Sequence, residues 1–209
     1  MPEPPHIELQ GFHALKHALR FGAEIIDVTG DREEAERLAA QLAPDLTLPV
    51  MTPGPELVAI ARRPAYDLAG ALARTGPVVY LEAPRHLGNL GAAIRVAAAA
   101  NAAAVLTTGD PWHANAIRGA AGLQFALPVL RVDQPPDTDR PLIAIDPEGE
   151  QTAVPADAIL AFGSERHWLS GELLARADAR VRIPMRAGVS SLNLATAVAA
   201  TLYGLIPRP

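Results

Sequence analysis

Five short strand-like runs alternating with helical stretches constrain this chain most: Val78–Leu81, Val105–Thr107, Leu142–Asp146, Ile159–Phe162 and Arg180–Ile183. Strands that alternate with helices join as parallel neighbours, because a parallel pair needs a crossover of about a dozen residues. The expected fold class is therefore α/β, a mostly parallel sheet with helices on both faces.

Upstream of these runs, the pattern predicts a helix near Phe12 to Phe21, a strand near Glu24 to Val28 and a helix from Asp31 to Leu42. Pro44, Pro49, Pro53 and Pro55 then break the periodicity, Tyr66 to Arg74 reads as helical, and Gly76-Pro77 marks a boundary. Two units are expected, a small α/β domain over 1–75 and a larger one over 76–209. With 209 residues, 49% of them hydrophobic and 20% charged, the chain has enough apolar surface for one large core or two small ones. It has no cysteine, which excludes disulfides, thiolate metal sites and cysteine nucleophiles. Met1 to His6 is proline-rich, without the basic region and apolar core of a signal peptide, and Asn101 interrupts the modestly hydrophobic Ala97 to Leu106. The expectation is a soluble cytoplasmic protein.

Three strand ends carry polar groups where a hydrophobic continuation would be ordinary. Val78–Leu81 is followed by Gly88-Asn89-Leu90-Gly91-Ala92-Ala93-Ile94-Arg95, which reads as strand, glycine turn, helix. Ile159–Phe162 ends in Gly163-Ser164-Glu165. After Ile183, a Pro184-Met185 to Gly188 loop feeds an apolar helix expected over Leu192 to Leu205, with Ser191 and Asn193 at its start. That helix start suits a ligand, although taken alone Ser190 or Ser191 as a plain N-cap is the favoured account.

In order and spacing, these segments resemble the SpoU, or TrmH-like, branch of the SPOUT methyltransferases, which methylate ribose 2′-hydroxyls of RNA with S-adenosylmethionine. Asn89, Gly91 and Arg95 are similar to the family's Asn-x-Gly-x-x-x-Arg, Gly163-Ser164-Glu165 to its Gly-Ser-Glu, and Ile183-Pro-Met through Ser191-Leu-Asn193 to its third motif. Arg118 to Val129 resembles a fourth, Arg-Ala-Ser-Ala-Gly, with Ala120 where serine is usual; the likeness covers roughly residues 77 to 206.

The resemblance implies a deep C-terminal trefoil knot and a homodimer whose active site is completed across the interface. It implies that Gly163, Ile183, Met185 and Leu192 hold S-adenosylmethionine, largely through backbone groups, and that Ser191 and Asn193 line the ribose and cofactor pocket. Arg95 would contact the RNA phosphate or ribose hydroxyl, with Glu165 orienting it. Asn89 would hold the ribose or pair with the opposing loop, and N-capping of the helix is an equal reading. The first 75 residues resemble the small substrate-binding domain of many members, similar in fold to a ribosomal RNA-binding protein. Where the family continues with Gly-x-Gly-Leu, this chain has Arg166-His167-Trp168-Leu169, which reshapes the cofactor lip or offers an arginine and an indole for stacking on a base.

A net charge of −5 gives no general attraction for tRNA or rRNA; residues 1–75 hold 7 Lys+Arg against 11 Asp+Glu, and residues 76–209 hold 11 against 12. Arg166, Arg176, Arg180, Arg182 and Arg186 face only Glu172 and Asp178, which reads as a local RNA footprint or as an ion-paired solvated face. His13 and His17, four residues apart, read as surface or half-buried side chains. Two other functions remain open: a non-catalytic RNA- or cofactor-binding relative, and a nicotinamide-dependent oxidoreductase using Gly88-x-x-Gly91 as a phosphate turn.

Overall fold

The computed structural model describes residues 5–150, 153–164 and 168–205. Its first sheet begins with β1 (His6–Gln10), followed by α1 (Phe12–Arg20), β2 (Ile25–Gly30), α2 (Arg32–Leu42), β3 (Thr52–Pro53) and β4 (Val58–Arg62). The strand order is β1-β4-β2-β3, with β4 antiparallel to both β1 and β2 and the short β3 parallel to β2. Alternation sets the register: Ile7 lies opposite Ala61 and Leu9 opposite Ala59, all four buried. α1 closes this face with Phe12, Ala14, Leu15 and Ala18, and the Asp31 side chain caps α2 by accepting from Glu34 N at 3.1 Å.

The second sheet follows α3 (Leu68–Ala73) and comprises β5 (Val78–Leu81), β6 (Ala104–Thr107), β7 (Val129–Arg131), β8 (Leu142–Ile145), β9 (Ile159–Phe162) and β10 (Ala179–Val181). Between and after them run α4 (Leu87–Ala99), α5 (Ala114–Ala120), a 3₁₀ turn (Leu123–Phe125), α6 (Gly171–Arg176) and α7 (Leu194–Ala200), which continues into a wider turn (Thr201–Leu205). Every pairing is parallel, in the order β10-β8-β9-β5-β6-β7. Helices cover both faces. Val79, Leu81, Val105, Leu160 and Phe162 pack under α4 and α7, while Val78, Tyr80, Leu106, Ile159 and Ala161 pack under α3 and α6. Burial on both faces explains why β5 and β9 are continuous apolar runs, not alternating ones.

The glycines of the first motif are not in a turn. α4 begins at Leu87, so Gly88 and Gly91 both lie inside it, and Asn89 sits in its first turn while His86 occupies the N-cap. A Cβ on Gly91 would stand 2.2 Å from the Ala116 carbonyl oxygen, and one on Gly119 2.5 Å from that of Gly88. α4 and α5 thus cross backbone to backbone, which only hydrogen side chains permit. This placement overturns the phosphate-turn reading and with it the oxidoreductase, since Gly91 is occupied by helix packing.

The segment after α5 docks the first sheet onto the second. Gly122, at φ 76°, brings its Cα where a Cβ would lie 2.6 Å from the Ala14 carbonyl oxygen, and His17 Nδ1 lies 2.7 Å from the Ala121 carbonyl oxygen. Trp112, Ile117 and Phe125 share one core with Leu9, Leu15 and Val28, and Trp112 meets Phe125 edge-on at 6.0 Å. Arg63 lies 5.2 Å over the Trp112 ring. Tyr66 donates to the Gln124 carbonyl oxygen at 3.1 Å, and burial pushes its phenol up to about 12. Arg140 donates to the carbonyls of Leu72, Arg74, Gly76 and Asp157, tying the chain after α3 to the start of β8.

Gly91→Ala is expected to cost about 3 kcal/mol through overpacking. Gly88→Ala meets open space and is expected to gain roughly 0.5–1 kcal/mol of helix propensity. Paired urea unfolding curves check the contrast. Burial, outweighing the bond to the Ala121 carbonyl, lowers His17 below its ordinary value of 6.5. Between that lowered value and 6.5 the unfolded chain binds more protons, so His17's contribution is present above pH 6.5 and is lost as pH falls below it. Melting temperatures measured between pH 7.5 and 5.5 should fall more steeply for the parent chain than for His17→Gln.

Candidate active site

The second sheet reverses its strand order beside β5, where β6 and β7 build outward on one side and β9, β8 and β10 on the other. Such a switch point leaves a crevice outside the carboxyl ends of the strands. On the β9 side of that point a cleft of about 570 Å³, measured with its open mouth, lies beyond β8, β9 and β10. Ile145, Phe162, Ile183, Met185, Leu192 and Leu194 make it largely apolar, and Asp146, Gly163, Ser164 and Ser191 supply polar groups. Its lining suits a small molecule with an apolar body and a few oriented polar atoms.

One close backbone approach shapes the cleft and a second lies beside it. A Cβ at Gly163 would lie 2.2 Å from the Trp168 carbonyl carbon and 2.5 Å from Leu169 N, and one at Gly149 would lie 2.7 Å from the Val181 carbonyl carbon. The loop end after β9 is fixed by Glu82 at the end of β5, whose carboxylate accepts from Ser170 N and Ser170 Oγ, both at 2.7 Å. Ser170 Oγ in turn caps α6 by accepting from Leu173 N. Asp146, just past β8 and only 6% exposed, accepts from Glu148 N at 2.8 Å and from Arg180 Nη2 at 2.9 Å. The carboxylate keeps the Arg180 guanidinium more firmly protonated than usual.

Five residues singled out from sequence line this cleft together: Gly163, Ile183, Met185, Ser191 and Leu192. Asn193 sits between the lining residues Leu192 and Leu194 without lining the cleft itself, and its Oδ1 accepts from Ala195 N at 3.0 Å as the N-cap of α7. The helix therefore starts at Leu194, not Leu192, and neither Ser190 nor Ser191 caps it. Asn89 and Arg95 do not line the cleft within one chain. Asn89 is half-buried in α4 and Arg95 is exposed on it, while Leu90, Ala93, Ile94 and Ala97 pack that helix against Leu194, Val198 and Leu202. Glu165, Arg166 and His167 lie outside the described residues. Trp168, 46% exposed, stands at the lip of the cleft. Asp146 was not singled out from sequence, because its partner Arg180 is 34 positions away and only the pairing of β8 with β10 joins them.

Two arginines of the arginine-rich stretch, Arg176 and Arg180, are ion-paired. Arg176 bonds Asp137 at 2.8 Å and the Pro135 carbonyl, Arg180 is held by Asp146 and Glu148, and Arg182 reaches the Gly149 carbonyl at 3.4 Å.

Residues 76–203 match the model of the SpoU rRNA Methylase family. The chain belongs to this family. It is 31% identical over 185 residues to the 23S rRNA (uridine(2479)-2′-O)-methyltransferase of Streptomyces viridochromogenes, covering 78% of this chain and 64% of that one. It is 29% identical over 167 residues to the 23S rRNA (guanosine(2553)-2′-O)-methyltransferase of Bacillus subtilis, covering 72% of this chain and 64% of that one. The chain thus spans less than two thirds of these relatives' length. The crystal structure of the SpoU methyltransferase AviRb from Streptomyces viridochromogenes superposes with a TM-score of 0.78 at 24% identity, covering 95% of this chain and 88% of that one, which shows the shared fold. The same protein was also solved in complex with AdoMet, with a TM-score of 0.75 at 23% identity, again covering 95% of this chain and 88% of that one. Among the described residues, no helix is long and apolar enough to cross a membrane.

Gly163→Ala is expected to drive the backbone of Trp168 and Leu169 away from the cleft and weaken any cleft ligand roughly tenfold or more. Calorimetric titration at a temperature where the variant remains folded checks this.

Proposed function

We propose that the chain is an RNA methyltransferase that moves a methyl group from S-adenosylmethionine to a ribose 2′-hydroxyl of tRNA or rRNA. The observation that carries this reading is the apolar cleft in which the Gly163 loop and the Ile183 to Leu192 segment converge. Its residues fit the cofactor: an aliphatic and aromatic slot for an apolar body, close-packed backbone at Gly163, and the polar groups of Asp146, Ser164 and Ser191 at its edges. When bound there, S-adenosylmethionine supplies an electrophilic methyl on a sulfonium. Gly163, Ile183, Met185 and Leu192 hold it, and Ser191 and Asn193 shape the adjoining ribose pocket.

In-line attack by a poorly acidic hydroxyl depends mainly on positioning. Arg95, an exposed guanidinium on α4, takes the RNA phosphate or the ribose hydroxyl, with Asn89 holding the ribose and Glu165 orienting Arg95. Arginine is a weak base, so it assists proton removal through the phosphate it grips or through its local setting. Because Asn89 and Arg95 stand outside the cleft of their own chain, a homodimer in which each copy serves the other's cleft accounts for both. Residues 1–75 act as an RNA-positioning domain and residues 76–209 as the methyltransferase domain in the cytoplasm. A trefoil knot gives the close backbone passages at Gly149 and Gly163 a common cause.

Calorimetry with S-adenosylmethionine, S-adenosylhomocysteine and NAD tests the cofactor, and transfer of labelled methyl to tRNA and to large-subunit rRNA tests the reaction. Binding of the first two and not NAD, together with label in ribose, is the expected result. Binding without transfer to any RNA would instead favour a non-catalytic relative, for which Trp168 at the lip in place of glycine is the structural motive. Arg95→Ala is expected to lower transfer by roughly a hundredfold or more while leaving the cofactor titration unchanged.

A further inference from the structure

A protein of net charge −5 that works on RNA must concentrate positive charge somewhere, and two of the arginines near the cofactor cleft, Arg176 and Arg180, are paired to carboxylates. The structure has a second concavity, an open groove of about 960 Å³ where the loops entering α4 and α5 meet. Arg85 and His86 line it from the α4 side, His113, Asn115 and Arg118 from the α5 side. All five are exposed, and no lining residue is acidic.

Arg85 makes no ion pair among the described residues. Arg118 is tied only to neutral oxygens, Gln10 Oε1 at 2.7 Å and Asn115 Oδ1 at 3.4 Å, so its direction is fixed while its charge is retained. Behind it, the same Gln10 engages the Glu8 carboxylate through Nε2 at 2.7 Å. His113 accepts from Asn115 N through Nδ1 at 3.1 Å, so its other ring nitrogen carries a proton that it can donate. The positive end of the 13-residue α4 adds the same sign. The groove also lies on the α4–α5 crossing, and Gly88 in its lining shares a helical face with Arg95, seven residues on.

We infer that this groove binds the sugar-phosphate backbone of the RNA substrate, with Arg85, His86, His113 and Arg118 as its donors, and leads the strand along α4 toward Arg95. The inference rests on the methyltransferase reading for the identity of the polyanion. The groove holds arginine forks and imidazole donors without aromatic platforms, which suits phosphate positioning and not base readout.

The test uses the full chain and a fluorescein-labelled 20-nucleotide oligouridylate, with anisotropy read over a series of KCl concentrations. Arg85→Gln/His86→Gln removes two donors that support no other contact, so the fold should persist. The double variant is expected to bind roughly tenfold more weakly, with a salt slope shallower by about 0.7 for each phosphate that is no longer neutralised. Its S-adenosylmethionine titration should be unchanged, and any methyl transfer should show a raised KM with kcat retained. Arg32→Gln/Arg37→Gln, whose arginines are paired to Glu36 and Glu34 on α2, should leave RNA binding untouched. Unchanged affinity and slope in the groove variant would overturn the inference, as would a parent chain that fails to bind the oligonucleotide at low salt. Because the cofactor titration is scored separately, failure of the groove and failure of the methyltransferase reading give different results.

Discussion

The crossing of α4 over α5 is the contact from which the arrangement follows. At Gly91 and Gly119 neither helix has a side chain to hold them apart, so the backbones touch and the angle and height of the crossing are set without adjustable rotamers. α4 also packs along Leu194, Val198 and Leu202, which fixes α7 and hence its Asn193 cap beside the cleft. α5 leads into the turn at Gly122 that seats against Ala14, and so carries the first sheet. One close approach thereby determines where Asn89 and Arg95 lie, where the cleft ends, and how the smaller sheet is placed.

The same device recurs at the cleft itself. Glycine's role at 149 and 163 is to allow main chain to lie on main chain, and the gain is a wall built from fixed carbonyls and amides whose geometry no rotamer change disturbs. The polar groups are anchored with equal redundancy. Glu82 takes two bonds from Ser170 across 88 positions of sequence, and Asp146 joins the end of β8 to β10 through Arg180. A site assembled this way is preorganised for a ligand held largely by backbone and apolar contact.

The large sheet was legible because its central strands are buried on both sides. Val78–Leu81 and Ile159–Phe162 are uninterrupted apolar runs with the same limits as β5 and β9. β1 and β4 bury only alternate residues and so form no continuous apolar run, β7 has only three residues, and all three went unread. Helix starts were misplaced for a related reason. His86 offers no side-chain cap to mark the entry to α4, and near α7 two serines precede the asparagine that does the capping. Glycine is ambiguous in sequence, since the residue that permits a turn also permits a helix contact; only the neighbour decides, and at Gly91 the neighbour is 25 positions downstream, at Ala116.

Charge was the least legible property, because arginine has several uses that look identical in sequence. Arg140 is spent on four carbonyls, Arg63 lies over an indole, and Arg176 and Arg180 answer carboxylates brought close by strand pairing. The density of arginine between 166 and 186 therefore overstates the field there. Arg85 and Arg118, 33 positions apart and inconspicuous singly, converge because α4 and α5 are pressed together by their glycines. The crossing that organises the fold thus also assembles the groove we assign to RNA. In an acidic chain, a groove lined by no carboxylate gives a polyanion a preferred face, which orients the nucleic acid as it arrives.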